Sequence, residues 1–425
     1  MSIYEYFCKS YKVSTDSRHI EPASVFFALK GERFDGNDFA LEVAEAGVAG
    51  LVVADRQSLP DHPRIVKVDN ALEALQSLAR HHRLQMSHLK VLAITGTNGK
   101  TTTKELVSAV VSRKYKTIHT QGNLNNHIGV PLTLLSITPD TEFAVVEMGA
   151  NHPGEIKTLV NLVNPDYGII TNIGKAHLEG FGSFEGVIRT KNELYDHLRE
   201  HGKTAFVNGD NALLMDLSKD LSRHTYGVAE TNEHHAAIVS CAPYLTVDVE
   251  GIGDLQTHLV GAYNFENVAA AVAVGQHFGV ANADIKAALE DYRPTNSRSQ
   301  VIEGKNRIVM DAYNANPTSM GASVRNFRNI GGDNPLLILG DMRELGDASE
   351  QEHRTILGLL RELGFNEALL VGPCFSQYND NPQYLTFATV DDLAAYLDQH
   401  PVEGRTILVK GSRGVQLEKA LPLIQ

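Results

Sequence analysis

The residues best suited to chemistry fall in one short run, Thr95-Gly96-Thr97-Asn98-Gly99-Lys100-Thr101-Thr102-Thr103. An apolar stretch at 91–95 precedes it, and the pattern that follows predicts a helix over 102–112. Glycines between a strand and a helix let backbone N–H groups curl around an anion at the helix N-terminus. In that reading Gly96, Thr97, Asn98, Gly99 and Thr102 surround the phosphates of ATP. Lys100 brings a point charge to the β- and γ-phosphates, and the Thr101 hydroxyl is placed to ligate Mg²⁺. The spacing is not that of GxxxxGK[ST], because Gly96 lies only three residues before Gly99. The plainer alternative is a strand–turn–helix with a lysine at the helix start.

Other candidates stand near predicted strand ends. Glu147 closes the run Phe-Ala-Val-Val-Glu-Met at 143–148. A carboxylate in an otherwise apolar strand is costly unless a cation meets it, and ligands gather at the carboxyl edge of an open parallel sheet. Glu147 therefore reads as a Mg²⁺ ligand, with a solvated strand-end glutamate as the alternative. Asp311 ends the strand at 307–310 and is positioned for ribose hydroxyls. Arg298 follows a proline-containing boundary and could reach nucleotide phosphates from the next domain, or be a surface arginine. His177 is one of 18 histidines, and its position alone assigns it nothing. Lys191 by itself reads as a solvated helix lysine. Asn264 reads as the cap of an alanine-rich helix, and Asn316-Pro317 as the start of another.

The elements that must hold these residues alternate as in a parallel α/β sheet. Runs at 91–95, 143–148 and 167–171 are almost wholly apolar, the mark of strands buried on both faces. A second series follows at 307–310, 336–339, 368–371 and 406–409, after a helix-rich stretch at 264–279 and 284–292. A third unit precedes them and closes with a helix over 71–84. Boundaries fall near 86 and 296, giving units 1–86, 87–296 and 297–425.

The 425 residues are too many for one ordinary core. A net charge of −13 argues against broad phosphate neutralisation of nucleic acid and against an anionic membrane surface. It leaves room for local anion binding by a few amides and cations. Cys8, Cys241 and Cys374 are widely spaced, with no CxxC pair, which fits a reducing cytosol. Residues 1–11 lack a signal-peptide core, and no run is long enough to span a bilayer. A cytoplasmic protein, most simply a monomer, is expected.

The loop Gly-Thr-Asn-Gly-Lys-Thr at 96–101 resembles that of the Mur ligase family, to which folylpolyglutamate and cyanophycin synthetases are related. The folate enzymes typically read GKGS where this chain has Gly99-Lys100-Thr101-Thr102. The segment around His177 (TNIGKAHLEGFGS) resembles the one that brings a histidine to a second Mg²⁺ in these ligases. Lys191 stands where they carry a carbamylated lysine, N6-carboxylysine, an anionic oxygen donor of the hard type Mg²⁺ prefers. The block at 261–271 implies that Asn267 lies around the adenine. Asp311-Ala312-Tyr313-Asn314-Ala315-Asn316-Pro317-Thr318-Ser319-Met320 looks like the branch that adds D-alanyl-D-alanine, and unlike the DYAHTP and DDYGHHP forms of its sisters. Tyr313 and Asn314 are then substrate residues. Asn123, Asn125 and Asn126 belong to a segment resembling one that meets a UDP-muramoyl substrate. Ser17, Arg18, Lys30, Phe34, Asp35 and Gly36 resemble parts of a uridine-binding domain.

The resemblance implies an N-terminal α/β domain for the UDP substrate, a central parallel-sheet ATPase domain and a C-terminal Rossmann-like domain. It implies an ATP-dependent ligase joining D-alanyl-D-alanine to UDP-N-acetylmuramoyl-tripeptide through an acyl phosphate. Two Mg²⁺ ions would be held by Thr101, Glu147, His177 and carbamylated Lys191, with Lys100 among the catalytic residues. Another ligase of the same family and a nucleotide-hydrolysing regulator are the alternatives.

Overall fold

The computed structural model describes residues 2–294 and 298–425, so the boundary expected near 296 lies outside the described residues. Among the described residues, three separate sheets run along the chain. The first is a small parallel sheet of Val13–Ser14 (β1), Val25–Phe27 (β2), Leu51–Ala54 (β3) and Ile65–Lys67 (β4), in that order.

The middle sheet contains Lys90–Thr95 (β5), Thr117–His119 (β6), Phe143–Glu147 (β7), Tyr167–Ile170 (β8) and Thr204–Asn208 (β9). It continues through Ser222–Gly227 (β10), His234–Ser240 (β11), Thr246–Val249 (β12) and Gly253–Gln256 (β13). The spatial order is β13-β12-β11-β10-β9-β8-β5-β7-β6, parallel from β11 to β6 and antiparallel at the β11–β12–β13 end. Strands β9 to β13 were not foreseen. β9 is buried over 205–208, an apolar run too short to stand out. From β10 to β13 most side chains are half-buried or exposed, and these strands carry histidine, serine and aspartate. They therefore lack the continuous apolar run that marks a strand buried on both faces.

The third sheet has Gln300–Glu303 (β14), Arg307–Met310 (β15), Pro335–Gly340 (β16), Ala368–Val371 (β17), Tyr384–Phe387 (β18) and Thr406–Lys410 (β19). Its order is β14-β15-β19-β16-β17-β18, with only the β14–β15 pair antiparallel.

Period-two alternation divides each buried strand between two cores. Along β5, Val91 and Ala93 face one core and Leu92 and Ile94 the other. The helices Ala71–Gln85, Glu155–Val163 and Phe184–Glu200 cover the first face; Lys100–Val111 and Phe265–His277 cover the second. The helix Ala71–Gln85 thus serves two units, and Arg83 fastens it. Its guanidinium is buried and donates to the carbonyls of Val163 (3.1 Å) and Asn164 (2.9 Å), and to the Asp166 carboxylate (3.1 Å). His82, equally buried, contacts the Ile137 carbonyl at 2.9 Å.

Arg83→Met should lower stability by about 2–3 kcal/mol, the scale for hydrogen bonds to a charged group, read as an earlier unfolding transition in urea. An unchanged transition would mean that this guanidinium does not join the two units.

Candidate active site

Strand β5 ends at Thr95 and the helix begins at Lys100, leaving a four-residue turn. Gly99 has φ +79°, and a side chain there would also meet the Asn267 amide oxygen. Asn172 shapes the turn: its side chain accepts from the Asn98 N–H (2.9 Å), and its backbone carbonyl accepts from the Thr97 N–H (2.9 Å). Those two amides are therefore spent. The first-turn amides that follow have no partner within the helix and remain for an anion. Lys100 Nζ folds back onto the carbonyls of Gly96 (2.7 Å) and Thr97 (2.9 Å). Burial lowers its pKa to about 8, with Glu147 pushing it back up and Arg298 adding to the depression.

Glu147 is 1% exposed, so the solvated alternative is wrong. One carboxylate oxygen accepts from the Thr101 hydroxyl (2.9 Å) and the other from the Asn125 amide (2.8 Å). Both donors are neutral, and among the described residues no cationic side chain pairs with this buried anion. A hard cation would fit: it finds a carboxylate and a hydroxyl side by side.

His177 lies beyond β8 in a left-handed conformation, φ +50°. Its Nδ1 makes a very close contact with the Glu344 carboxylate of the third unit. A carboxylate on one ring nitrogen orients the other toward a ligand. Burial lowers the His177 pKa, Glu344 opposes this, and Lys100 and Lys191 add to the lowering.

Lys191 is 2% exposed, which overturns its reading as a solvated helix lysine. Its ammonium position is 5.6 Å from the Phe181 ring centroid, and no carboxylate pairs with it among the described residues. Burial, helped by Lys100, holds its pKa well below the ordinary lysine value, although Glu155 and Glu193 pull upward. A buried lysine held toward its neutral amine is the form able to take up CO₂ as a carbamate.

The loop opens into a cavity of about 820 Å³. Thr97, Asn98, Gly99, Lys100, Thr101 and Thr102 line it, as do Asn123, Asn125, Asn126, Glu147, His177 and Asn267. From the far side come Arg298, Asp311, Tyr313 and Asn314. Gly96 and Lys191 lie outside the lining. So do Ser17, Arg18, Lys30, Phe34, Asp35 and Gly36, which gather at the first sheet instead. There Asp35 accepts from the Asn37 N–H (2.9 Å) and from Arg56 (3.0 Å), and Lys30 and Asp35 form an isolated bridge. Phe34 is exposed, and Arg18 pairs with Asp16.

One asparagine behaves differently from expectation. Asn264 makes no side-chain cap; it donates to the Val260 carbonyl (2.8 Å) and accepts from Asn267 (2.9 Å). Asn267 also accepts from Thr103 (2.9 Å), so it ties the helix Phe265–His277 to the loop's helix. Asn316, by contrast, caps the helix Pro317–Ile330 as expected, and its amide also reaches the Asn98 side chain at 2.8 Å.

Several participants were missed. Lys410 ends β19 and donates to Asp311 (2.6 Å), which also accepts from Ser323 (2.9 Å). The signal was present: a lone lysine closing an apolar strand, as Glu147 does. Glu352 had no such signal; it pairs with Lys175 at 3.0 Å across the units. Arg298 stacks on the Tyr313 ring at 3.7 Å from its centroid.

Comparison with known proteins assigns the class. The Mur ligase middle domain matches residues 94–275, the family's glutamate ligase domain 297–413, and the Mur ligase family catalytic domain 9–83. The chain belongs to the Mur ligase family. It is 36% identical to the UDP-N-acetylmuramoyl-tripeptide–D-alanyl-D-alanine ligase of Bacillus subtilis (strain 168), over 96% of this chain and 91% of that protein. A crystal structure of MurF from Acinetobacter baumannii is 33% identical, with TM-score 0.86, covering 97% of this chain and 92% of the other. MurF ligase from Thermotoga maritima in complex with ADP is 26% identical, with TM-score 0.85, covering 100% and 98%. Among the described residues no helix is long and apolar enough to cross a membrane.

The depressed Lys100 pKa makes a testable statement about the cavity. Phosphate oxygens would raise it again, so binding of ADP at pH 8.5 should take up a fraction of a proton, and binding at pH 6.5 should not. Calorimetry in buffers of different ionisation enthalpy measures this. Equal enthalpies across buffers at the higher pH would be incompatible with the lysine meeting the phosphates.

Proposed function

We propose that this chain is the ATP-dependent ligase that joins D-alanyl-D-alanine to UDP-N-acetylmuramoyl-tripeptide, giving the pentapeptide precursor of peptidoglycan. The supporting observation is the shared cavity, where a phosphate loop, a buried carboxylate and polar groups of the third unit face one another. We assign residues 1–86 to the UDP-muramoyl end, 87–296 to ATP, and 297–425 to the dipeptide and the nucleotide's outer face. ATP and a UDP-linked substrate place the work in the cytoplasm.

The family resemblance implies the chemistry. The tripeptide carboxylate attacks the γ-phosphorus of ATP, ADP leaves, and an acyl phosphate remains. The dipeptide amine then attacks the acyl carbon, and phosphate leaves as the peptide bond closes. Two anions approach each other in the first step, so charge neutralisation is where the site must contribute most. First-turn amides and Lys100 would hold the β- and γ-phosphates, Lys100 moving off the Gly96 and Thr97 carbonyls to do so.

Thr101, Glu147, His177 and a carbamylated Lys191 form the donor set for Mg²⁺, which when bound supplies positive charge against the phosphates. Asn125 and Thr101 aim the Glu147 carboxylate, and Glu344 aims His177. Asp311, held by Lys410 and Ser323, faces the ribose, with Arg298 toward the phosphates. Contacts between Asn98 and Asn316 and between Lys175 and Glu352 keep the third unit over the loop, excluding the water that would hydrolyse an acyl phosphate. Asn123, Asn126, Tyr313 and Asn314 line the space left for the two peptides.

Phosphate release should require both UDP-N-acetylmuramoyl-tripeptide and D-alanyl-D-alanine, with neither alone sufficing. Steady hydrolysis independent of both would favour a nucleotide-driven regulator instead. Lys191→Ala should fold normally yet lose at least about 100-fold in rate, roughly the scale of losing one electrostatic stabiliser. Gently handled wild-type protein should carry the extra mass of a carbamate. A fully active alanine variant would remove Lys191 from the scheme.

A further inference from the structure

Away from the cavity, β10 and β11 bring together a second set of metal-binding groups. His224 on β10, Glu233 in the turn and His234 at the start of β11 offer ligand atoms that all lie within 4.8 Å of one another. We propose that His224, Glu233 and His234 form a site for a divalent transition metal of the zinc type, separate from the nucleotide chemistry.

The hydrogen bonds prepare the ligands. His234 Nδ1 lies 2.7 Å from the Gln276 side-chain oxygen, so that nitrogen is the donor. The Gln276 amide orientation is fixed from its other end, where Nε2 donates to the Glu250 carbonyl at 3.4 Å. In the neutral ring the lone pair therefore sits on Nε2, which is buried, has no hydrogen-bond partner among the described residues, and stands 3.8 Å from Glu233. An outer-sphere acceptor on one nitrogen and a free lone pair on the other is how metal-ligating histidines are held. His224 Nδ1 meets both Glu233 oxygens at 2.8 and 2.9 Å. A cation would replace the proton shared there.

Two imidazoles and one carboxylate suit zinc-like ions better than magnesium, with water completing a tetrahedron. The His277 ring, 4.2 Å from that of His224, packs a third imidazole against the set.

A second group of the same residue types shows the contrast. Asp341, His353 and Cys374 also converge. There Asp341 already accepts from the Cys374 and Phe375 amides, and His353 accepts from the Met342 N–H while its other nitrogen faces the Ser349 carbonyl. Its donors are spent, whereas His234 Nε2 is not.

The site would pin the last turn of the helix Phe265–His277, whose first turn carries Asn267 at the phosphate loop. Co²⁺ is the reporter: it should bind the full-length protein, in excess Mg²⁺ and ADP, with the visible spectrum of a tetrahedral ion, and Zn²⁺ should displace it. His234→Gln and Glu233→Gln should each bind one Co²⁺ fewer and lose the Zn²⁺-dependent rise in Tm, with ligase activity in Mg²⁺ unchanged. Gln276→Leu should weaken Co²⁺ by about tenfold. Glu233 is half-exposed, so its glutamine variant retains the fold whatever happens at His234. Equal Co²⁺ stoichiometry and spectra in wild type and Glu233→Gln would overturn the site.

Discussion

A carboxylate with almost no contact with water, at the end of an apolar strand, sets the terms for the rest of this molecule. Glu147 cannot be left bare, because burying an unpaired anion is far costlier than any single neutral hydrogen bond can offset. The chain gives it a hydroxyl and an amide, from Thr101 and Asn125. Those partners constrain the turn after β5, the start of the next helix and the loop before residue 129. They leave the charge itself unmatched, which a metal ion brought in with phosphate would offset.

The third unit completes what the middle sheet begins. Asn316 reaches Asn98, Glu344 reaches His177, and Glu352 reaches Lys175. Each contact ends on the loop or on the segment just after β8, so positioning the third unit also positions the middle unit's functional groups. Asp311 and Lys410 meet at the ends of adjacent parallel strands, which explains why two residues almost 100 apart form one buried ion pair. Lys191 adds a different tension: a buried amine with no paired carboxylate, near Lys100 and His177, is stable when neutral or when converted to an anion.

Much of this was legible in the sequence because the signals were local. Apolar runs marked β5, β7, β8 and most of the third sheet, and the glycines before Lys100-Thr101 announced the turn between β5 and the next helix. Glu147 stood out as an acid where the pattern required none. The strands from β10 to β13 were invisible because most of their side chains are only partly buried or face water. Asn264 misled because an asparagine before an alanine-rich helix is an ordinary cap, whereas here it braces Asn267. Lys191 could not be read as buried from its neighbours, since burial depends on the Leu178–Phe181 turn folding over it. The contact of Glu344 with His177 was unreadable for the same reason: the two lie 167 residues apart.

The central claim is that an ion enters beside Glu147 and that a nucleotide's phosphates occupy the turn at 96–101. Crystals grown with ADP and Mn²⁺, measured at the manganese absorption edge, examine it directly. The expected map has an anomalous peak in contact with both the Thr101 hydroxyl and the Glu147 carboxylate, with phosphate density against the amides of the following helical turn. Manganese found only elsewhere, with that turn lacking phosphate, would contradict the account.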